Sequence, residues 1–116
     1  MAVIDYWHNP RCSKSREGLA LLEQAGAALR VRRYLDDPPS REDLVAAWHA
    51  LGRPPVAQMM RRKDAAFREL GLSETASDDA LLEAMAAHPA LIERPLAIRG
   101  ARAVIGRPPE SLLDLL

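Results

Sequence analysis

The first 35 residues limit the fold more than any other stretch. An apolar run from Ala2 to Trp7, rich in β-branched and aromatic residues from Val3 onward, reads as a buried strand. A Pro-containing turn follows, and then a helix pattern runs to about Ala25, with Leu19 and Leu22 at helical spacing and Gly26 as a stop. From Leu29 to Leu35 the period changes to two: Leu29, Val31, Arg33 and Leu35 alternate with Arg30, Arg32 and Tyr34. A strand, a helix of about a dozen residues and a second strand form a βαβ unit, whose strands are parallel and whose crossover is right-handed. Asp5 is the odd residue of the first strand and is expected at a sheet end or towards solvent. Gly18, within the helix, costs about 1 kcal/mol relative to Ala, so a close approach of helix to sheet is its expected reason.

The rest of the chain divides into a helical stretch and a closing hairpin. Asp36-Asp37-Pro38-Pro39 breaks the second strand, and Ser40 with Asp43 reads as a capping box for a helix bearing Leu44, Trp48 and Leu51 and ending at Gly52. Pro54-Pro55 opens a short helix expected to reach about Arg62, and a segment from Ala65 to Leu70 ends at Gly71. Ser77 caps a further helix with Asp78 and Asp79 in its first turn and Leu81, Leu82 and Met85 facing the core, closed by His88-Pro89. Leu96 to Arg99 and Arg102 to Ile105 form a hairpin across Gly100-Ala101, and a last helix is expected from Pro108. A βαβ half, a helical insertion at about 40–88 and a ββα half describe an α/β, thioredoxin-like fold with a four-stranded mixed sheet. The 116 residues then make a single domain.

Composition mainly excludes. Net charge is zero, which gives no electrostatic case for nucleic acid or an anionic membrane surface. No apolar run approaches a membrane span and no signal-peptide pattern opens the sequence, so a cytoplasmic protein is expected, as a monomer. The single cysteine cannot make an internal disulfide, which suits a reducing compartment.

That cysteine, Cys12, lies where the first strand turns into the first helix. A lone Cys is most often a small buried hydrophobe, yet here its neighbours are Arg11, Ser13, Lys14, Ser15 and Arg16. A helix start presents amides without internal partners and the positive end of the dipole, and it favours anions. With the helix start, His8 and the cations Arg11, Lys14 and Arg16 close by, the thiol is expected to ionise below its free value of about 8.5. His8, expected in the loop, reads either as a protonated neighbour that lowers the thiol or as a ring bonded to the loop. A secondary, tuning role is expected of it. No metal site is indicated, since His49 and His88 fall in separate helical segments.

The string His8-Asn9-Pro10-x-Cys12-x-x-Ser15-Arg16 resembles the active-site loop of the glutaredoxin-coupled arsenate reductase family, ArsC. The likeness continues in order through Tyr34-Leu35-x-x-Pro38-Pro39-Ser40-Arg41, Glu69-Leu70-Gly71-Leu72, His88-Pro89-x-Leu91-Ile92-x-Arg94-Pro95 and Arg107-Pro108. It implies the thioredoxin-like fold and a cis proline at Pro95 facing the thiol. It also implies Cys12 as the catalytic nucleophile, Arg61, Arg94 and Arg107 as ligands of an arsenate-like oxyanion, and His8, Asn9 and Ser15 as loop residues that tune the site. Arg62 competes with Arg61, because a one-residue shift would exchange them. No bound cofactor is implied. With no second cysteine in the chain, the resolving thiols must come from outside, and the family uses glutathione and glutaredoxin as reductant and partner. Ser15 stands where redox-sensing regulators of the same superfamily carry the second Cys of a Cys-x-x-Cys motif. Arg11, Ser13 and Lys14 replace small neutral residues of well-known arsenate reductases, so the string is most similar to an arsenate-reductase-like branch. Two alternatives accompany arsenate reduction: a monothiol oxidoreductase acting on glutathione mixed disulfides, and a non-enzymatic regulator.

Overall fold

The computed structural model describes residues 3–116. It forms two compact units: residues up to Asp37 together with Arg94–Leu116, and Pro38–Glu93. The first unit holds strand β1 (Ile4–His8), helix α1 (Ser13–Gln24) and strands β2 (Leu29–Arg33), β3 (Leu96–Arg99) and β4 (Arg102–Ile105). The sheet runs β2-β1-β3-β4. β2 is parallel to β1 while β3 and β4 are antiparallel to their neighbours, which is the mixed, thioredoxin-like sheet expected from the alternation. The expected first strand begins at Ala2, which lies outside the described residues. Asp5 is paired with Arg30 on the adjoining strand.

Alternation along β1 sets the core. Ile4 and Tyr6 project to one face and pack with Leu22 of α1, Ala97 of β3, and Leu112 and Leu115. The last two come from Pro109–Leu115, which forms a 3₁₀ helix rather than the expected α-helix. With three residues per turn, positions 109, 112 and 115 stack on one side. Those three are the buried ones, while Leu113 and Leu116 are exposed. An α-helical twist would carry one of the three off the core.

β2 departs from its sequence pattern. Val31, expected on the apolar face, is 45% exposed, whereas Tyr34, expected on the polar one, is 1% exposed. β2 is an edge strand, and it ends at Arg33. The amides of Asp36 and Asp37 both turn back to the Arg33 carbonyl. That turn releases Tyr34 from the strand alternation and lets it point inward.

The second unit holds helices α2 (Arg41–Ala50), α3 (Ala65–Glu69) and α4 (Asp78–Ala87). The Ser40–Asp43 capping box forms in both directions, and Ser77 accepts from the Ala80 amide. α2 packs on α4 through Leu44, Ala47, Leu81 and Met85, and Arg41 ties the pair from outside by bonding Asp79 and Glu83. The segment after Pro55 is a 3₁₀ turn, Val56–Met59, shorter than the expected helix. It stops because Met60 becomes extended and bridges Ile92, with Arg61 N–H donating to the Leu91 carbonyl and Glu93 N–H to that of Met59. Among the described residues no helix is long and apolar enough to cross a membrane.

Gly18 lies where α1 crosses the sheet. A Cβ there would come within 2.5 Å of Leu112 Cδ1 and 2.6 Å of the Tyr6 hydroxyl. Close approach is therefore its role, and it outweighs the helix-propensity cost of about 1 kcal/mol. Gly18→Ala should lower the free energy of urea unfolding by about 1–3 kcal/mol, the usual cost of overpacking. An unchanged or more stable variant would mean that the packing yields at this point.

Candidate active site

β1 delivers the chain to the start of α1 through a turn of four residues, and each step of the turn has a hydrogen bond. Asn9 Oδ1 accepts from Arg11 N–H at 3.0 Å, and the Asn9 carbonyl accepts from Cys12 N–H at 3.0 Å. Arg16 Nη1 reaches back to the Pro10 carbonyl at 2.8 Å. An asparagine is suited to this position because its side chain can replace one turn of backbone bonding. The result places Cys12 at the N-cap of α1 in extended conformation, φ −95° and ψ 123°.

The N-cap is normally the place of a Ser, Thr, Asp or Asn oxygen that receives the free amides of the first turn. Here a sulfur occupies it, and no acidic residue stands in the first turn to neutralise the helix end. The sulfur makes no full capping hydrogen bond, but the Ser15 and Lys14 amides both act on it in favour of the thiolate. Cys12 is 9% exposed, sheltered but reachable.

Arg94 and Arg107 come from the far end of the sequence to the same sulfur. Each precedes a cis proline, Pro95 and Pro108. Arg107 Nη2 lies 3.9 Å from Cys12 Sγ, while its Nε donates to the Arg94 carbonyl at 2.9 Å, so one guanidinium spans the thiol and the neighbouring backbone. The Arg94 guanidinium hydrogen-bonds the sulfur and adds its charge.

Opposing forces act on the thiol. Burial is the largest single influence and pushes it up. The Ser15 amide, the Arg94 guanidinium and the Lys14 amide together outweigh burial and hold the thiol below its ordinary value. The downward shift and the part of the helix start in it are thus as expected, but the cation is not one of the expected neighbours. Lys14 acts through its amide while its ammonium is paired with Glu17, and Arg16 spends its guanidinium on Pro10. The cations at the sulfur are Arg94 and Arg107, 82 and 95 residues away in the sequence.

His8 also departs from expectation. It ends β1 and is 7% exposed rather than lying in the loop, because its side chain projects to the same buried face as Ile4 and Tyr6. Burial above all, then the charges of Arg33 and Arg16, hold its pKa below the ordinary value, with Glu23 opposing weakly. A neutral ring cannot serve as the positive neighbour of the thiol at neutral pH. Its Nδ1 lies 2.7 Å from Ser15 Oγ, and the same Oγ accepts from Asn9 N–H at 3.0 Å. One assignment satisfies all of these groups: Ser15 accepts from Asn9 and donates to Nδ1, leaving the imidazole proton on Nε2.

The structure thus brings Cys12, Ser15, His8, Asn9, Arg94 and Arg107 together, and Pro95 is cis as the resemblance implies. Arg61 and Arg62 belong to the other unit, where Arg61 pairs with Asp64 at 2.8 Å and Arg62 with Glu74 at 3.1 Å. Among the described residues no group of three His, Cys, Asp or Glu side chains is placed to hold a metal ion. One residue of the site was missed by sequence reasoning. Tyr6 is fully buried and donates its hydroxyl to the Ser15 carbonyl at 2.6 Å. The available signal was a phenol on the inward face of an otherwise apolar strand, where a buried hydroxyl requires an acceptor.

A thiolate next to two guanidiniums and a set of helix amides can both hold a tetrahedral oxyanion and attack its central atom. The model of the ArsC family matches residues 7–115. The chain is 48% identical to an arsenate reductase of Neisseria meningitidis serogroup A and 47% identical to one of Haemophilus influenzae, in both cases over all of each chain. Its structure superposes on that of an arsenate reductase from Vibrio cholerae with a TM-score of 0.94, at 48% identity, covering 99% of this chain and 98% of the other.

Two outcomes follow from these charges. Arg94→Gln should move the pH profile of Cys12 alkylation by iodoacetamide upward by about one unit, a tenfold loss of rate near neutrality. An unmoved profile would leave the helix amides as the only source of the shift. The lowered pKa of His8 means that the unfolded chain binds the proton first as pH falls. Its contribution to stability is complete above about 6.5 and is lost as pH falls through the lower, folded value. Urea unfolding should show that decline, and His8→Gln should flatten it.

Proposed function

The chain belongs to the ArsC family, and on that footing we propose that it reduces arsenate to arsenite through a covalent adduct on Cys12, resolved by external glutathione and glutaredoxin. The observation that carries this reading is the convergence of Arg94 and Arg107 on a thiol whose pKa is held low. Arsenate is a tetrahedral anion. The planar forks of the two arginines and the free amides of α1 offer it donors on several sides, as an oxyanion needs. Arg61 is the third ligand that the family resemblance implies, with Arg62 as its competitor.

Attack by the Cys12 thiolate forms an S–As bond, and one arsenate oxygen leaves as water after protonation. The arsenic must then gain two electrons. Over a full turnover these come from two external thiols that end as a disulfide, while Cys12 returns to the thiolate. Arg94 and Arg107 hold the remaining oxygens as charge moves from oxygen towards arsenic. The fourth position of the Cys12 motif is Ser15, fully buried and committed to His8 and Asn9, so it offers no internal thiol to resolve the adduct. That is the reason for external thiols. A cytosolic setting supplies them.

The test is arsenite production from arsenate with glutathione and glutaredoxin. Cys12→Ser should abolish it. The double variant Arg94→Gln/Arg107→Gln should lower kcat/KM for arsenate by about a hundredfold or more, on a cost of about 1.5–3 kcal/mol for each charged hydrogen bond. Exchange with a glutathione mixed disulfide should fall far less. If both reactions fall together, the arginines serve only to ionise the thiol, and monothiol disulfide exchange becomes the better account of the protein.

A further inference from the structure

Ser15 is the most heavily committed residue of the site, and each of its polar groups points to a different partner. Its hydroxyl takes the Asn9 N–H and meets His8 Nδ1, its amide acts on the Cys12 sulfur, and its carbonyl receives the Tyr6 hydroxyl. Tyr6 and His8 are alternate residues of β1 on one face, their ring centroids 5.7 Å apart. Both are anchored in the sheet, Tyr6 opposite Val31 and Ala97. The strand therefore grips the first turn of α1 at two points of one residue. The Tyr6 side is tightly enclosed, since a Cβ on Gly18 would come within 2.6 Å of the phenol oxygen.

We propose that Tyr6 is a positioning residue for the reacting thiol: its buried hydroxyl, through the Ser15 carbonyl, fixes the helix amide that faces Cys12. The proposal rests on the reading of Cys12 as the reacting nucleophile. It is tested on the thiol itself, so that its failure is distinct from a failure to reduce arsenate. A hydrogen bond to a carbonyl of the first turn draws the peptide planes of that turn into a defined tilt, and the Ser15 N–H turns with them. The strength of a charge–dipole contact depends on that aim. Without the hydroxyl, the ring of Phe would fill the same space but leave the turn held only by the Ser15 side chain. The phenol is suited to the task because burial, followed by the negative charge of Cys12, pushes its pKa well above the ordinary value, against the influence of Ser15. It remains a donor at every pH at which the thiol changes charge.

The experiment uses Tyr6→Phe in the full chain, with Leu22→Ala as the control. Leu22 is fully buried in the same core cluster and has no polar contact to lose. Iodoacetamide alkylation of Cys12 is followed against pH for both variants, with urea unfolding in parallel. Tyr6→Phe should shift the alkylation profile to higher pH and lower the rate near neutrality by about twofold to tenfold, the range of one hydrogen bond's net contribution. Leu22→Ala should lower stability and leave the profile in place. A Tyr6→Phe profile that superimposes on the parent's, or an equal shift in Leu22→Ala, overturns the proposal. A second measurement needs no variant. In an NMR pH titration of the unaltered protein, the Tyr6 ring signals and the Ser15 amide should move with the same midpoint as Cys12. Tyr6 signals that ignore that midpoint overturn the proposal equally.

Discussion

The first turn of α1 exposes amides that the helix cannot satisfy, and the only group at its N-cap is a sulfur. Much of the first unit follows from that constraint. A neutral thiol is a poor acceptor, whereas a thiolate is a good one, so the helix start and the ionised cysteine stabilise each other. Burial works against the charge, and the helix alone does not decide the balance. The Arg94 guanidinium adds a charge on the sulfur, and Arg107 approaches it from the same side. Both arginines are held where β3 and the final 3₁₀ helix begin, so the two halves of the first unit meet at this atom. Helix, sheet and reactivity are in this sense one electrostatic problem.

The turn before Cys12 is ordered by hydrogen bonds rather than by bulk. Asn9 carries most of them, and Ser15 ties the turn to His8. A cysteine in place of Ser15 could not receive the Asn9 amide and contact His8 Nδ1 as strongly, since sulfur is the weaker hydrogen-bonding atom. Serine here therefore trades an internal resolving thiol for a rigid loop. His8 shares in the same economy. Buried and neutral, it orders the loop through Ser15 and contributes no charge to the thiol.

What the sequence revealed was what is local or periodic. The change from period two to helical spacing and back placed β1, α1 and β2, and the serines at 40 and 77 marked two helix starts. Gly18 signalled a close crossing, because a glycine inside a helix needs a compensating reason. The inward turn of Tyr34 was hidden, since it depends on where an edge strand ends, and so was the 3₁₀ winding of 109–115, which depends on which leucines meet the core. The convergence of Arg94 and Arg107 on Cys12 was visible only through family resemblance, as no local pattern joins residues more than 80 positions apart. Charges near Cys12 in sequence were a poor guide. Arg11, Lys14 and Arg16 stand beside it on paper, yet a side chain can leave in any direction, and the sulfur draws its cation from elsewhere. His8 and Tyr6 were misplaced or missed for the same reason: burial of a polar strand residue is decided by what packs on the strand.

The pKa of Cys12 is held below the ordinary thiol value because the start of α1 and Arg94 outweigh its burial. The direct measurement is the ultraviolet absorbance of the thiolate, titrated with pH in the native protein and corrected with the Cys12→Ser variant. The account predicts a midpoint clearly below the free thiol value of about 8.5, and an upward move of that midpoint when Arg94 is replaced by Gln. A midpoint at or above the free value would contradict it and leave Cys12 an ordinary buried thiol.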